Sequence, residues 1–469
     1  MSLDTYDKGR QLQIEGWPHK VSVELKGHAG APEREKMTEN NAANTDRQAD
    51  RLLEKIFSEE NLYEACHKVV SNKGAGGVDG MQVNELRPYL ALHSAALTQQ
   101  LLEGKYKPNP VRRVEIPKEE PGKVRKLGIP TAVDRVIQQA IAQILSALFE
   151  PQFHENSYGF RPKRSTHDAL KQCQQNVNAG YIYVVDMDLE KFFDTVNQSK
   201  LIQVLSQTIK DGRVISLIHK YLNAGVLEKG VFAKTDIGVP QGGPLSPLLS
   251  NIMLNELDWE LDRRGHKFVR YADDCMIFCK SKRSAERTLA NIIPFIERKL
   301  FLTVNREKTE VARITEVKFL GYGFYRRKGE YRLKVHPKSV LKMKDKLREL
   351  TSRSNGWGDE FRIMKLTRFI RGWVNYFALA DMESLLRNMD GWLRRRIRAI
   401  YWKQWKKIKT RYSMLKKYGL PDWQVHQLAN CRKGIWCAAL VLNYVLTNKE
   451  IANLGYISMT DYFLKTRVN

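Results

Sequence analysis

Two adjacent carboxylates, Asp273 and Asp274, stand between the short apolar runs FVRYA (268–272) and CMIFC (275–279). Runs of this length, separated by a two-residue polar break, predict a tight β-hairpin with the aspartates at its tip. Because neighbouring carboxylates at an exposed tip repel one another, a divalent cation is a natural neutralising partner. Taken alone, the pair also fits a solvated acidic turn.

A second acidic strand end lies upstream, in VVDMDLEKFFDTV (184–196). Asp186 and Asp188 are two residues apart, so they leave a strand on the same face. Mg²⁺ takes oxygen ligands from a few carboxylates and from substrate phosphates, and a pair of such ions can clamp the attacking and leaving oxygens of phosphoryl transfer. One aspartate from this strand and two from the hairpin suit that chemistry.

The elements that must position these residues divide the chain. From residue 81 to about 325, helical stretches alternate with short β-branched runs, which is typical of an α/β or α+β domain. From 336 to 409 the pattern is helical only, and Pro337 occupies a first-turn position. Apolar residues at helical spacing form three stripes: Val340, Met343, Leu347 and Leu350; Ile363, Leu366, Ile370, Trp373 and Phe377; Leu385, Met389, Leu393 and Ile397. These stripes predict three amphipathic helices.

Helix starts are also indicated elsewhere. The pattern becomes helical near residue 48, with Ser58 and Asn61 as N-cap candidates, until GAGGVDG (74–80) interrupts it. Ser246 followed by Pro247 predicts a further N-cap and first-turn pair.

Charge is unevenly distributed along the chain. The 469 residues contain 78 Lys and Arg against 52 Asp and Glu, a net charge of +26. This surplus favours a polyanionic partner, nucleic acid before membrane, and no apolar run is long enough to span a bilayer. Residues 331–420 hold 24 Lys and Arg against seven Asp and Glu, a net +17, whereas residues 1–46 are net −2 and are predicted to be a mobile extension.

Six scattered cysteines favour a reducing compartment over a disulfide framework, and Cys275 and Cys279 alternate along a predicted core strand.

Motifs follow one another in a fixed order over about residues 48–465. They are NKGAGGVDG (72–80), VRRVEIPK (111–118), VRKLGIPTAVDRVIQQAI (124–141), YGFRPKRSTHDA (158–169), DMDLEKFFDTV (186–196), GVPQGGPLSPLLSNIMLNELD (238–258), RYADD (270–274), VNREKT (304–309), FLGYGF (319–324), RGWVNYF (371–377) and YWKQWK (401–406). In this order they resemble reverse transcriptases, specifically the group II intron-encoded reverse transcriptase-maturases of the compact bacterial class C.

The resemblance implies an α+β right-hand polymerase followed by an all-α three-helix thumb. The fingers, with an N-terminal helical extension, would occupy 47–170 and the palm 171–330, with the reverse transcriptase domain over about 90–325. The thumb, or maturase domain X, would occupy 331–420, and residues 421–469 would pack on it or extend it.

Site residues follow from the same resemblance. Asp188, Asp273 and Asp274 match the family's catalytic carboxylates, which bind two Mg²⁺ ions, with Mn²⁺ as a substitute. Asp188 is preferred to Asp186 because the shared pattern Asp-Leu-x-x-Phe-Phe begins at the second aspartate, which leaves Asp186 as a supporting acid.

Six residues are predicted to contact the deoxynucleotide: Arg112, Lys118, Arg125, Phe193, Gln241 and Lys308. Phe193 matches the aromatic residue that excludes a 2′-hydroxyl, with plain core packing as its alternative role. Lys118 and Arg125 flank a turn that would fold over the triphosphate, and solvated side chains on a loop are the alternative. The glycines beside Gln241 would allow close backbone approach to a nucleotide or template, or would serve only a structural turn.

In the predicted thumb, cations are interleaved with tryptophans, a composition that suits binding to structured RNA or a template-primer duplex. The predicted RNA-binding residues are Arg394, Arg395, Arg396, Arg398, Lys403 and Lys406. The alternative is a solvated helical face with Trp392, Trp402 and Trp405 turned inward.

The resemblance implies an RNA-directed DNA polymerase that uses an RNA template, a DNA or RNA primer and dNTPs, binds its intron RNA to assist splicing, and acts at a DNA target in retromobility. An RNA-binding maturase with lapsed polymerase activity and a domesticated reverse transcriptase used in DNA repair are the alternatives. Since no CxxC or HxxxH occurs, neither a nuclease domain nor zinc is expected. The expected setting is a ribonucleoprotein in the bacterial cytoplasm, with no membrane and no obligate protein partner.

Overall fold

The computed structural model describes residues 51–117, 122, 124–432 and 434–468. The predictions for residues 1–46 and for Lys118 fall outside these residues. The chain forms two compact units, of which the first contains the residues up to Ser165 with Asp186–Ile277 and Glu286–Glu310, and the second contains Thr166–Val185, Phe278–Ala285 and the residues from Val311 onward. Within the described residues, no helix combines the length and apolar character needed to cross a membrane.

The elements alternate up to residue 335 and are helical beyond it. In chain order they begin with α1 (Leu52–Ile56), α2 (Glu59–Ser71), α3 (Leu86–Leu102), β1 (Val111–Pro117), β2 (Val124–Ile129), α4 (Ala132–Phe149), α5 (Thr166–Asn178), β3 (Tyr183–Met187), α6 (Phe192–Thr195), α7 (Gln198–Thr208), α8 (Gly212–Leu222), β4 (Val226–Glu228), β5 (Val231–Ala233), α9 (Ser246–Arg263), β6 (Lys267–Tyr271), β7 (Asp274–Cys279) and α10 (Lys282–Lys299). They continue with β8 (Glu310–Arg313), β9 (Tyr322–Arg327), β10 (Glu330–Val335), α11 (Pro337–Leu350), α12 (Asp359–Tyr376), α13 (Glu383–Gln404), α14 (Ile408–Lys417), α15 (Asp422–Ala429), α16 (Ile435–Val441), α17 (Asn448–Asn453) and α18 (Met459–Val468).

Helix α4 forms part of the core of the first unit. Thr131 caps its N-terminus by accepting a hydrogen bond from the Asp134 amide at 3.1 Å. Apolar side chains cover most of its circumference, and Ile137, Ile141 and Leu145 are fully buried. A helix that is apolar on nearly every side is stable only when it is enclosed by other elements.

One four-stranded sheet has the order β2–β1–β4–β5. Strands β1 and β2 pair antiparallel, with Ile116 opposite Arg125 and Pro117 opposite Val124. This confirms the predicted pair of extended segments.

A second four-stranded sheet has the order β6–β7–β3–β8. Strands β6 and β7 are the predicted hairpin, and Ala272 and Asp273 lie between them. Its apolar residues are core residues as predicted, and both Cys275 and Cys279 are buried in β7.

The three helices predicted after residue 336 are confirmed as α11, α12 and α13. Pro337 is the first residue of α11, and the His336 side chain caps it by accepting from the Lys338 amide at 3.2 Å. The stripes are buried with small shifts, since Leu386 rather than Leu385 is the buried residue at the start of α13. Further along the chain, α16 and α18 pack against α13.

Two predicted N-caps differ from the structure. Ser58 caps α2 as predicted, but Asn61 lies inside that helix and donates to the Ile56 and Ala140 carbonyls at 2.7 and 3.0 Å. Ser246 is the first helical residue of α9, not its cap, because its hydroxyl donates to the Pro240 carbonyl at 2.6 Å and so secures the preceding loop.

Candidate active site and nucleic-acid contacts

Acidic residues gather at the ends of neighbouring strands. Asp186 is the penultimate residue of β3 and Asp188 follows that strand, while Asp274 opens β7 and Asp273 precedes it in the turn. Since β7 and β8 are the two neighbours of β3 in the sheet, Asp274 and Glu310, at their first positions, flank the aspartates of β3.

The electrostatics of Asp186 confirm this proximity. Burial, and to a smaller degree the negative charges of Asp274, Glu310 and Asp188, together raise the pKa of the Asp186 carboxyl from 3.8 to about 7. Each of these carboxylates therefore contributes to one negative field, and the field makes ionisation of Asp186 unfavourable.

The loop that precedes β8 holds Asp188. The Asn305 amide donates to the Asp188 carbonyl at 2.9 Å, and the Asp188 amide donates to the Thr309 hydroxyl at 3.2 Å. The Lys308 ammonium lies 3.6 Å from the Asp188 carboxylate and is largely exposed. The VNREKT motif thus fixes the strand end that carries Asp188 and places one cation beside it.

These residues fit a divalent cation by donor type and by charge. Carboxylate oxygens are the ligands that Mg²⁺ prefers, and the group contains Asp186, Asp188, Asp274 and Glu310 against the single nearby cation Lys308. Among the described residues, no three His, Cys, Asp or Glu side chains come close enough to hold an ion by themselves. A Mg²⁺ site that draws part of its coordination from substrate phosphates and water does not require such a preformed cage.

Phe193 lies on α6 and lines a cavity of about 480 Å³ with Gln241, Gly242 and Arg135. Its ring is half-buried, and therefore it forms part of the cavity wall. The Arg135 guanidinium donates to the Ala75 carbonyl at 2.8 Å, and burial lowers its pKa. Sequence reasoning assigned no role to Arg135.

The glycines beside Gln241 are explained by internal packing. At Gly238, which has φ +90°, an added Cβ would lie 2.8 Å from the Phe193 carbonyl oxygen. At Gly242, with φ +111°, it would lie 2.6 Å from the Gly128 carbonyl oxygen. The close approach that these glycines permit is between the loop and its neighbours α6 and β2, which is the structural alternative.

The predicted triphosphate-binding cations are placed differently from one another. Arg112 donates through Nε and Nη2 to the Gly76 carbonyl at 3.1 and 2.8 Å, so it anchors the loop of the GAGGVDG segment. Arg125 is exposed on β2 near the hairpin end. Lys118 lies outside the described residues.

Three of the predicted RNA-binding arginines make intramolecular contacts. Arg395 lies over the Trp436 ring, 4.1 Å from its centroid, and donates to the Trp436 carbonyl. Arg396 donates to the Thr351 hydroxyl at 2.6 Å, and burial lowers its pKa. Arg398 is buried and donates to the Leu446 carbonyl at 2.7 Å.

Burial, and to a smaller degree the charge of Arg394, lowers the pKa of the Arg398 guanidinium to about 10. Trp402 and Trp405 are 2% and 5% exposed, so these two tryptophans face inward. Lys403 and Lys406 are exposed, and the Lys403 ammonium donates to the Arg353 carbonyl at 3.0 Å. The exposed lysines are therefore better placed than Arg395, Arg396 and Arg398 to meet phosphates.

Models of two protein families match the chain. The one described as reverse transcriptase (RNA-dependent DNA polymerase) matches residues 116–324, and the one described as group II intron, maturase-specific domain, matches residues 340–419. The matches define a polymerase domain of the reverse transcriptase type followed by a maturase domain.

Two curated proteins are similar to this chain over most of their length. Protein YkfC of Escherichia coli K12 is 36% identical over 322 residues, which cover 60% of this chain and 84% of that protein. The group II intron-encoded protein LtrA of Lactococcus lactis subsp. cremoris is 31% identical over 441 residues, covering 74% of this chain and 73% of LtrA. The chain belongs to the family of group II intron-encoded reverse transcriptase/maturases.

The predicted family is thereby confirmed, and so is the predicted fold class, an α+β reverse transcriptase fold followed by a helix-rich C-terminal region. The superposition on a solved telomerase structure from Candida albicans covers 75% of this chain and 64% of the telomerase chain, at 14% identity. Its TM-score of 0.45 is too low to add to this assignment.

Proposed function

We propose that this chain is an active RNA-directed DNA polymerase that binds its intron RNA and assists splicing. The observation that carries the proposal is the group of carboxylates from β3, β7 and β8, whose mutual repulsion contributes to the raised pKa of Asp186. A protein that only bound RNA would gain nothing from this negative field, whereas a polymerase uses it to hold cations at the reacting phosphate.

In the proposed reaction, Asp188, Asp273 and Asp274 would hold two Mg²⁺ ions, for which Mn²⁺ could substitute. When bound, the ions would supply activation of the primer 3′-hydroxyl for attack on the α-phosphate and stabilisation of the departing pyrophosphate. Lys308 offsets part of the carboxylate charge and faces the phosphates. Phe193, in the wall of the cavity lined by Gln241, selects deoxynucleotides by steric exclusion of a 2′-hydroxyl.

The basic helical region is the proposed site for intron RNA. Residues 331–420, with their net charge of +17, contain the whole match to the maturase-specific domain. We further propose a cytoplasmic ribonucleoprotein in which the enzyme copies the intron at a DNA target, using a primer supplied by another process such as a nascent strand.

The decisive substitution is Asp273→Asn, which keeps the side-chain shape and removes the charge. We expect cDNA synthesis on a primed RNA template in Mg²⁺ to fall by about a hundredfold or more. Binding of the same RNA should be unchanged. Asp236→Asn, at an exposed carboxylate between β5 and α9, is the matched control and should keep full activity.

Full activity of the Asp273→Asn protein would refute the proposed catalytic role of the aspartates. If the unaltered protein binds intron RNA and makes no cDNA, the polymerase proposal fails and a maturase with lapsed polymerase activity is indicated.

A further inference from the structure

Arg270 is a charged residue at the centre of the core. It lies in β6 and is 0% exposed, as are Asp258, Asn251 and Ser157 around it. All five N–H donors of its guanidinium have an acceptor. The five hydrogen bonds are Nε to Asp258 Oδ1 (2.7 Å), Nη1 to Asn251 Oδ1 (2.9 Å) and to the Ala272 carbonyl (2.8 Å), and Nη2 to Ser157 Oγ (2.8 Å) and to Asp258 Oδ2 (2.5 Å).

Stability alone is a poor explanation for the buried ion pair of Arg270 and Asp258. A fully buried ion pair gains little over a well-packed apolar pair, because removing both charges from water offsets most of their attraction. What the ion pair provides, and an apolar pair cannot, is a set of directed hydrogen bonds. These hydrogen bonds fix the positions of the groups that accept them.

The Arg270 guanidinium holds the turn that carries Asp273 and leads into Asp274. Ala272 has φ +59°, a left-handed conformation that an alanine rarely adopts, and it is followed directly by Asp273. The carbonyl of Ala272 accepts from Arg270, two residues earlier. This hydrogen bond fixes the peptide group that joins Ala272 to Asp273, and with it the direction in which Asp273 leaves the turn.

The other side of the turn is closed by residues 156–159. The Tyr158 amide donates to the Arg270 carbonyl and the Arg270 amide to the Asn156 carbonyl, both at 2.9 Å. At Gly159 an added Cβ would lie 2.3 Å from the Ala272 nitrogen, so the two backbones are in direct contact. Asn251 connects the two sides, because its amide donates to the Gly159 carbonyl at 2.8 Å while its oxygen accepts from Arg270.

We propose that Arg270 is the positioning residue of the aspartate turn: its guanidinium, oriented by Asp258, Asn251 and Ser157, holds Ala272 in the left-handed conformation and so aims Asp273 and Asp274. The inference rests on the proposed polymerase function for its catalytic consequence, but the ordering of the turn is independent of that function.

The test compares Arg270→Lys with Arg264→Lys. Lysine keeps the positive charge for Asp258 but has three donors on one atom, so it cannot serve the same acceptors. Arg264 is likewise a hydrogen-bonded and ion-paired arginine of the first unit, and it bonds Glu260 and the Asn291 carbonyl, neither of which is a partner of Arg270. Both variants are measured for kcat and KM for dNTP, for template-primer affinity, and for amide hydrogen exchange of the segment 268–276.

For Arg270→Lys we expect kcat to fall about tenfold or more, with template-primer affinity unchanged and faster exchange at 271–274. For Arg264→Lys we expect a lower melting temperature with kcat within about twofold of the unaltered protein. Equal falls in kcat for the two variants, or unchanged exchange of the turn in Arg270→Lys, would overturn the proposal.

Should Arg270→Lys fail to fold, Ser157→Ala removes one acceptor and leaves the ion pair in place. The expected result is a fall in kcat of about threefold with faster exchange of the turn, and exchange equal to that of the unaltered protein would overturn the proposal. If the unaltered protein makes no cDNA, the polymerase proposal fails, while the exchange measurement still decides whether Arg270 orders the turn.

Discussion

The pKa of Asp186 shows how burial and neighbouring carboxylates act on one residue of the acidic group. Its pKa of about 7 lies well above the ordinary 3.8 because the side chain is largely buried and because Asp274, Glu310 and Asp188 are close to it. Sequence spacing placed Asp186 beside Asp188 on one strand face, but it did not bring Glu310 into the group. Glu310 opens β8, five strands after β3 in the chain, and the sequence carries no signal that these two strands are neighbours in the sheet.

This shift predicts the pH dependence of stability in the absence of divalent cations. A carboxyl with a raised pKa in the folded state stabilises the fold below pH 3.8 and loses that contribution as the pH rises through about 7. Asp186→Asn removes the loss, so we expect its melting temperature in EDTA to exceed that of the unaltered protein by about 3 °C at pH 8 and by about 1 °C at pH 5, where only a little over a third of the loss has occurred.

Thermal melts at the two pH values measure this difference. The control is Asp236→Asn, at a carboxyl between β5 and α9 that is 69% exposed and paired with Lys234, which should follow the unaltered protein at both values. A difference for Asp186→Asn that is the same at pH 5 and pH 8 would show that Asp186 is not the titrating group.

At the scale of elements, α18 is held by a carboxylate from another helix. Asp390 of α13 is 3% exposed and accepts from the Met459 and Thr460 amides at 2.9 Å and from the Thr460 and Ser458 hydroxyls at 2.7 and 3.0 Å. These amides belong to the first turn of α18, which has no intrahelical partner for them. Asp390 thus caps α18 and ties it to α13.

Asp390→Asn should release this contact, because an amide has a single acceptor oxygen and its NH₂ group would face N–H donors. We expect a loss of about 2–4 kcal/mol in the free energy of unfolding and faster amide exchange over 459–468. Hydrogen exchange and chemical denaturation measure the two effects. Asp345→Asn, at an exposed carboxyl of α11, is the control, and equal exchange in both variants would contradict the capping role.

At the scale of the whole molecule, the basic side chains that give the chain its positive net charge are of two kinds. Some arginines of the basic helical region are structural, since Arg395, Arg396 and Arg398 bond to backbone or side-chain oxygens of their own unit. Exposed lysines at 406, 407 and 409 have their charges in solvent. Phosphate binding that releases counterions depends on cations of the second kind.

Replacing Lys406, Lys407 and Lys409 together with Ala should therefore weaken intron RNA binding and reduce the slope of log K against log salt by about two. The same three positions changed to Arg keep the charge and should keep the slope. Filter binding over a salt series measures both. An unchanged slope in the alanine variant would place the RNA on another surface.

The arginines are a poorer choice for this experiment. Alanine at Arg394, Arg395 and Arg396 would also remove the bonds to Trp436 and Thr351, so weaker RNA binding could follow from a disturbed fold.

Local patterns were sufficient for the family, the hairpin that carries Asp273 and Asp274, the two extended segments that pair as β1 and β2, and the three helices from Pro337. Alternation and helical spacing are set by backbone sterics over a few residues, so they are legible along the chain. What Arg270 does was decided by tertiary structure, because its acceptor Ser157 is 113 residues away and Asp258 and Asn251 come from α9. The same holds for the arginines of α13. A basic side chain can bind a phosphate of a ligand or a carbonyl oxygen of its own chain. Only its burial and the positions of oxygens distant in the sequence decide which of these it binds.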